Sequence, residues 1–175
     1  MSNSTRGDKP RNPRMGLVKK DIVTSLASSN ANKDGNEDYV FSSYKDLVIF
    51  SAVLGYREDE LTHEGFDNSS DDKINIKYST FTTEQLHRSV LESLAFQHTG
   101  NPDTLVDRNY QMDVLEKYAA GGLQVLDRRL GDIPGDRTDA LVNLIQSYAD
   151  EEGVEHGEEL QTILNAFNED PRVDI

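Results

Sequence analysis

The first candidates for proton transfer or metal binding in this chain are its histidines, which are His63, His87, His98 and His156. A zinc site needs three or four converging ligands, often arranged as His-x-x-x-His or His-Glu-x-x-His on a helix. Neither spacing occurs in the sequence, and His87 and His98 are about three helical turns apart. We therefore expect surface or helix-capping histidines and no metal site.

Carboxylates are the other abundant reactive group, with 32 aspartate and glutamate residues. Metal-dependent nucleases hold Mg²⁺ with two acids and place a lysine beside the attacking water, in an Asp…Glu-x-Lys pattern. The nearest candidate, Glu116-Lys117, has no intervening residue and falls within a predicted helix. The sequence also lacks cysteine, a phosphate-binding Gly-x-x-x-x-Gly-Lys-Ser/Thr loop and a Gly-x-Ser-x-Gly motif. These patterns predict no catalytic residue, no cofactor and no enzyme activity.

Charge is distributed unevenly along the chain, whose formal net charge is −14. The first 20 residues carry the opposite sign, with six cations against Asp8 alone. A basic, unstructured arm of this kind can contact phosphates or an acidic partner in a salt-sensitive way. An ordinary disordered terminus has the same composition, so that alternative stays open. The candidate nucleic-acid contacts are Arg6, Lys9, Arg11, Arg14, Lys19 and Lys20.

The acidic remainder of the chain permits two interpretations. Adaptation to high salt produces acidic surfaces whose self-repulsion is screened by ions. An acidic face that docks a partner protein would have the same composition. In both cases most of the surface repels nucleic-acid phosphates.

The most apolar segment, residues 41–57, predicts a buried helix that begins near Ser43. Ser43 can cap this helix, and Asp46 places a negative charge in its first turn. Apolar side chains point nearly all round, which indicates that the helix is covered on several sides. Gly55 is expected to end the helix in a left-handed conformation. The candidate contacts with a partner protein in this segment are Lys45, Tyr56 and Arg57.

Apolar spacing predicts one strand and several further helices. Residues 74–78 alternate as a half-buried strand does, and 38–41 could pair with them. A long helix is predicted from Asp107 to Leu130, and its Gly121 and Gly122 cost about 1 kcal/mol each relative to alanine. These glycines indicate a break, a kink, close approach by another backbone, or a notch in which a partner docks. The other predicted helices cover 19–27, 82–99, 136–148 and 160–167.

Together the elements predict a mainly α fold, compact and single-domain, with at most one small β-hairpin; a winged-helix arrangement fits the same outline. The expected organisation is a disordered basic arm over 1–18, a helical domain over 19–150, and an acidic linker with a C-terminal helix over 151–175. The longest apolar run, 47–54, is far shorter than the ~20 residues of a membrane helix, and no secretory signal is recognisable. Lack of cysteine fits the cytoplasm, where we expect the protein to act.

Four segments in order resemble one small protein family. They are Tyr44–Arg57, Gly65–Ser70 followed by Ile74, Tyr118–Leu126 and Pro134–Leu141. The segments resemble the fourth accessory protein associated with DNA phosphorothioation (Dnd) systems, over roughly residues 40–148. The loop after Arg57 is more acidic than is typical of the family, which argues against a nucleic-acid role for that loop. The resemblance implies a setting in which other proteins place sulfur on the DNA backbone and restriction proteins attack unmodified DNA. It supplies no catalytic residues.

Two functions follow from the residues and the resemblance together. The first is a non-enzymatic adaptor or accessory subunit of a DNA phosphorothioation-linked antiphage modification-restriction system, which contacts other proteins of the cassette. The alternative is a small DNA-binding regulator that uses a hairpin and the basic N-terminal arm. In the first case DNA is an indirect partner, and neither function involves a membrane.

Overall fold

The structure, a computed structural model, describes residues 12–27, 39–131 and 137–150. The chain divides into two compact units after Asp132. The second unit contributes one described helix, α6, over residues 137–150. The predicted acidic linker and the helix predicted over 160–167 lie outside the described residues. The elements of the first unit are β1 (Arg14–Val18), α1 (Asp21–Leu26), α2 (Tyr44–Arg57), β2 (Lys73–Lys77), α3 (Tyr78–Thr82), α4 (Gln85–Thr99), a 3₁₀ turn (Pro102–Leu105) and α5 (Arg108–Leu130).

The prediction of a mainly helical fold with one small antiparallel pair of strands is confirmed. In the part of the chain that the structure describes, no helix combines the length and the apolar character needed to cross a membrane.

The first core helix, α2, begins as the sequence predicts and ends later. The Ser43 hydroxyl accepts a hydrogen bond from the backbone N–H of Asp46, 3.3 Å away, and so caps the helix. The predicted C-terminal cap at Gly55 is wrong, because α2 continues to Arg57. A Cβ on Gly55 would overlap the carbonyl oxygen of Tyr118 in α5, so this glycine serves close packing inside the helix.

The central helix of the first unit is α5. Asp107 caps it as predicted, since its carboxylate accepts hydrogen bonds of 3.1 Å from the backbone N–H groups of Asn109 and Tyr110. Residues 118–123 of α5 are all buried, and six consecutive residues span more than one turn, so this part of the helix is covered on every side. Its main neighbour is α2, whose Leu47 and Val48 are fully buried.

The two strands come from distant parts of the chain. β1 pairs antiparallel with β2, which places Met15 opposite Ile76 and Leu17 opposite Ile74. Met15 and Leu17 are fully buried, so the strand pair contributes one face to the core.

This pairing corrects two predictions. Residues 14–18 form a strand, so the predicted disordered arm over 1–18 is wrong for them, and residues 1–11 lie outside the described part. The predicted partner of the second strand, 38–41, is also wrong, because Phe41 makes a single parallel bridge with Ala27 instead. The physical reason is burial: β1 supplies fully buried apolar side chains opposite the apolar positions of β2.

Candidate functional site

The paired glycines of α5 lie at its contact with α2 and the loop that follows α2. A Cβ on Gly122 would overlap the carbonyl oxygen of Ser51, and one on Gly121 would overlap that of Glu60. Close approach by another backbone therefore explains the pair, which is one of the alternatives that the sequence left open. Both glycines are buried, so the chain's own backbone fills the notch that was predicted for a partner.

Tyr56 lies at the edge of an apolar groove between α2 and α4. The residue is 42% exposed, and its ring meets that of Tyr118 edge-on, with 5.4 Å between centroids. Val53, nearly one turn earlier, is 47% exposed, and Arg57, the last residue of α2, is also exposed. The groove has a volume of about 250 Å³, and the described residues that line it carry no charge. On the α4 side these are Ser89, Val90, Ser93, Leu94 and Gln97.

Lys45 already has partners within the chain. It forms ion pairs with Glu84 and, at 3.8 Å, with Asp46, and only 17% of its side chain is exposed. His87 joins the same cluster: its Nε2 lies 3.6 Å from Asp46 Oδ1, and its Nδ1 lies 3.5 Å from Glu84 Oε2. The four side chains connect the start of α2 to the start of α4, so the cluster positions the two helices that form the groove.

Burial of His87 corrects the prediction that the histidines lie at the surface or cap helices. The residue is 7% exposed, and Nδ1 is buried without a hydrogen bond of normal geometry despite the nearby Glu84 carboxylate. A signal for this was present in the sequence. His87 has helical spacing with Leu91 and Leu94, which are both buried on the same helix.

Asp46 is the charged centre of this cluster. Partial burial raises its pKa, but hydrogen bonds from Ser43 at 2.6 Å and Ser42 at 2.8 Å, together with the Lys45 and His87 charges, outweigh burial. The pKa of Asp46 therefore lies below its usual value. At neutral pH the Asp46 carboxylate is therefore ionised and supplies a negative charge to the cluster.

The predicted nucleic-acid contacts fall into two groups. Arg6, Lys9 and Arg11 lie outside the described residues. Arg14, Lys19 and Lys20 are exposed at or beside β1, where Lys19 pairs with Asp72 at 3.2 Å. Arg14 lies directly opposite Lys77 in the strand pair, which brings two cations together.

A cleft of about 520 Å³ opens beside α3, α4 and the 3₁₀ turn. Arg88 and Arg108 both line it, and the Arg108 guanidinium lies 5.7 Å from the centre of the Tyr78 ring. Burial raises the pKa of Tyr78, although the positive charge of Arg108 opposes this effect. Sequence patterns did not predict the cleft, because they read Tyr78 as the end of a strand and missed α3.

Comparison with known proteins decides the family. The family model for DNA sulphur modification system-associated protein 4 matches residues 14–164. The chain belongs to this family. The match begins at β1 and extends beyond α6, so it is wider than the resemblance over roughly 40–148. No curated protein and no solved structure matches the chain.

Membership in the sulphur modification family confirms the predicted family and its association with a DNA sulphur modification system. This member presents two separate surfaces, the uncharged groove at Tyr56 and the arginine-lined cleft. Within its described residues, no three histidine, aspartate or glutamate side chains are grouped as a metal ion would require.

Proposed function

We propose that this member of the sulphur modification family is a non-enzymatic adaptor that binds another protein of the system in the groove between α2 and α4. The proposed setting is the antiphage modification-restriction assembly implied by the sequence resemblance, in the cytoplasm. The association of the family with a DNA sulphur modification system supports the choice of partner.

The observation that carries the proposal is an uncharged groove on a strongly charged chain. Charged residues make up 29% of the sequence, yet the groove is lined by apolar, hydroxyl and amide side chains. Exposed apolar patches with a polar surround mark sites where proteins interact. Leu86, which is 71% exposed, shares a helical stripe with Val90 and Gln97 and so extends the apolar surface along α4.

A tagged copy of the protein, expressed with the other proteins of its system, tests this proposal by affinity purification. We expect at least one of those proteins to be recovered with the wild-type chain. Val53→Asp should reduce recovery by about tenfold or more, because a charge would be buried without a partner in the occupied groove. Leu61→Asp is the matched control, since Leu61 is 41% exposed and lies outside the groove.

Thermal unfolding of both variants separates a binding defect from a folding defect. Equal recovery with Val53→Asp and with the wild type would contradict the groove as the contact site. Full assembly and protection by the system after deletion of this chain would contradict the adaptor function itself.

The DNA-binding regulator is a second candidate, favoured by the two cations that face each other in the strand pair. Like charges directly opposite each other on strands are unfavourable unless an anion binds between them. A regulator should shift its own promoter more strongly than a scrambled duplex of equal length in an electrophoretic assay at low salt. The adaptor function predicts no preference between the two duplexes.

A further inference from the structure

The cleft at the junction of α3, α4 and the 3₁₀ turn has the composition of an anion site. Its described lining contains Arg88 and Arg108 against the single carboxylate Glu92. Ser79 and Thr82 add hydroxyl groups, and Asn12 adds an amide. The net positive charge of this lining contrasts with a chain whose formal net charge is −14. The adaptor proposal gives this cleft no function.

Both guanidinium groups retain donors for a ligand. Arg88 uses Nε in its 2.8 Å hydrogen bond to Glu92 Oε1, so Glu92 orients the side chain while the terminal nitrogens remain available. Arg108 lies over the Tyr78 ring and makes no ion pair with the described residues. Two arginines that share a small cleft repel each other, and a bound anion would relieve that repulsion.

A buried hydrogen-bond network holds the cleft in shape. The Tyr78 hydroxyl donates to Gln111 Oε1 at 2.7 Å. Gln111 is 1% exposed, and its Nε2 donates to the carbonyl oxygens of Thr104 and Leu105 at 2.9 and 2.8 Å. The 3₁₀ turn is thereby fixed to α5 and to the tyrosine beneath Arg108. A preorganised site of this kind loses little entropy when a ligand binds.

We propose that this cleft binds a phosphodiester group of a nucleic acid backbone. Guanidinium groups form paired hydrogen bonds with phosphate oxygens, and the hydroxyl and amide groups supply further contacts to phosphate and sugar. Leu105 and Val106 are 41% and 84% exposed at the rim, where they offer apolar surface to a sugar ring.

A polymer fits the surroundings of the cleft better than a free phosphate does. Asn12 lines the cleft two residues before Arg14, and Lys77 directly precedes Tyr78. Because Arg14 and Lys77 are opposite each other in the strand pair, cations continue from the cleft onto the neighbouring surface. Successive phosphates of a nucleic acid can occupy such a track, whereas one phosphate monoester would use the cleft alone.

Fluorescence polarisation of a short labelled DNA duplex with the full-length protein tests the proposal. Affinity should fall steeply between about 50 and about 200 mM salt. Arg108→Gln and Arg88→Gln should each weaken binding about tenfold and reduce the salt slope by about 1. Arg129→Gln is the matched control, because it removes the same charge from an exposed arginine in the last turn of α5, outside the cleft. Its affinity should change by less than about twofold.

Competition with inorganic phosphate and with AMP separates the sources of the ligand. Weak competition by both, at concentrations far above those of the duplex, is expected for a nucleic acid site. Competition by AMP at the same phosphate concentration as the duplex would overturn the nucleic acid assignment.

Two further results would also overturn the proposal: no duplex binding at low salt, or equal losses in all three arginine variants. Thermal unfolding of each variant shows whether folding is intact. Because Val53→Asp lies outside the cleft, it should bind the duplex normally, so failure of the adaptor function can be distinguished from failure of this site.

Discussion

The Ser43 hydroxyl contacts Asp46 twice, through the backbone N–H that it caps and through the carboxylate to which it donates. Ser43→Ala should therefore lower the free energy of unfolding by about 1 kcal/mol at neutral pH. It should also raise the pKa of Asp46 towards its usual value of 3.8. Urea unfolding measures the first effect, and NMR titration of the carboxylate measures the second.

The pH dependence has a defined sign. The pKa of Asp46 is lowered in the folded state, so its stabilisation is complete above the unfolded value and is lost as pH falls through the folded value. Wild type and Ser43→Ala should therefore differ less in free energy of unfolding in acid than at neutral pH. The difference that remains in acid comes from the hydrogen bond that Ser43 accepts from the backbone N–H of Asp46. Ser42→Ala is the control, because it removes a 2.8 Å hydrogen bond to Asp46 without removing the cap. Equal stability of wild type and Ser43→Ala at neutral pH would contradict the stabilising function of Ser43 as the cap of α2.

At the scale of the elements, the contact between α2 and α5 depends on glycine. Gly122→Ala should improve the intrinsic helix propensity of α5 by about 1 kcal/mol. Packing should lower the stability instead, because the new Cβ would overlap the Ser51 carbonyl oxygen. Neither backbone can move away without separating the two helices. We expect a net loss of about 3 kcal/mol in the free energy of unfolding, measured by urea denaturation.

Gly100→Ala is the matched substitution for this prediction. Gly100 has φ 67°, and no atom lies within 4 Å of the position that an added Cβ would occupy, so alanine there meets only backbone strain. That strain should cost about 1 kcal/mol. A stabilised Gly122→Ala protein would show that the helices are not held in close contact.

Local patterns predicted the long elements, and non-local packing determined what they missed. Ser43 and Asp107 correctly predicted where α2 and α5 begin, because a helix cap is a contact between residues close in sequence. The pairing of β1 with β2 joins residues far apart along the chain, so no short-range sequence pattern predicted it. The arginine-lined cleft was not predicted for the same reason, since Arg88 and Arg108 lie on different helices and come together only when the chain folds.

On the scale of the whole molecule, charge repulsion opposes folding. The formal net charge of −14 makes the folded state more sensitive to salt than a neutral protein would be. Glu116 shows the effect locally: burial, followed by repulsion from Asp113, raises its pKa. A raised pKa means that the folded state favours the protonated form of Glu116. The stability that this carboxyl group contributes is therefore present below its usual pKa of 4.5 and is lost as pH rises through the folded value.

Glu116→Gln should therefore raise the free energy of unfolding at neutral pH. The gain should be less than about 1 kcal/mol, since the carboxylate is only partly buried. The gain should vanish below the usual pKa of 4.5, where the unfolded carboxyl is also protonated. Asp71→Asn, at an exposed loop position, removes the same charge and should have little effect.

Thermal unfolding across a salt series completes this test. The wild-type midpoint should rise as the Debye length falls from about 30 Å at 0.01 M to about 3 Å at 1 M salt, and then level off because screening is complete. The part of the Glu116→Gln gain that comes from Asp113 should shrink over the same range. A midpoint that keeps rising well beyond 1 M would contradict screening as the sole cause and favour adaptation of the acidic surface to high salt. A midpoint insensitive to salt would contradict repulsion altogether.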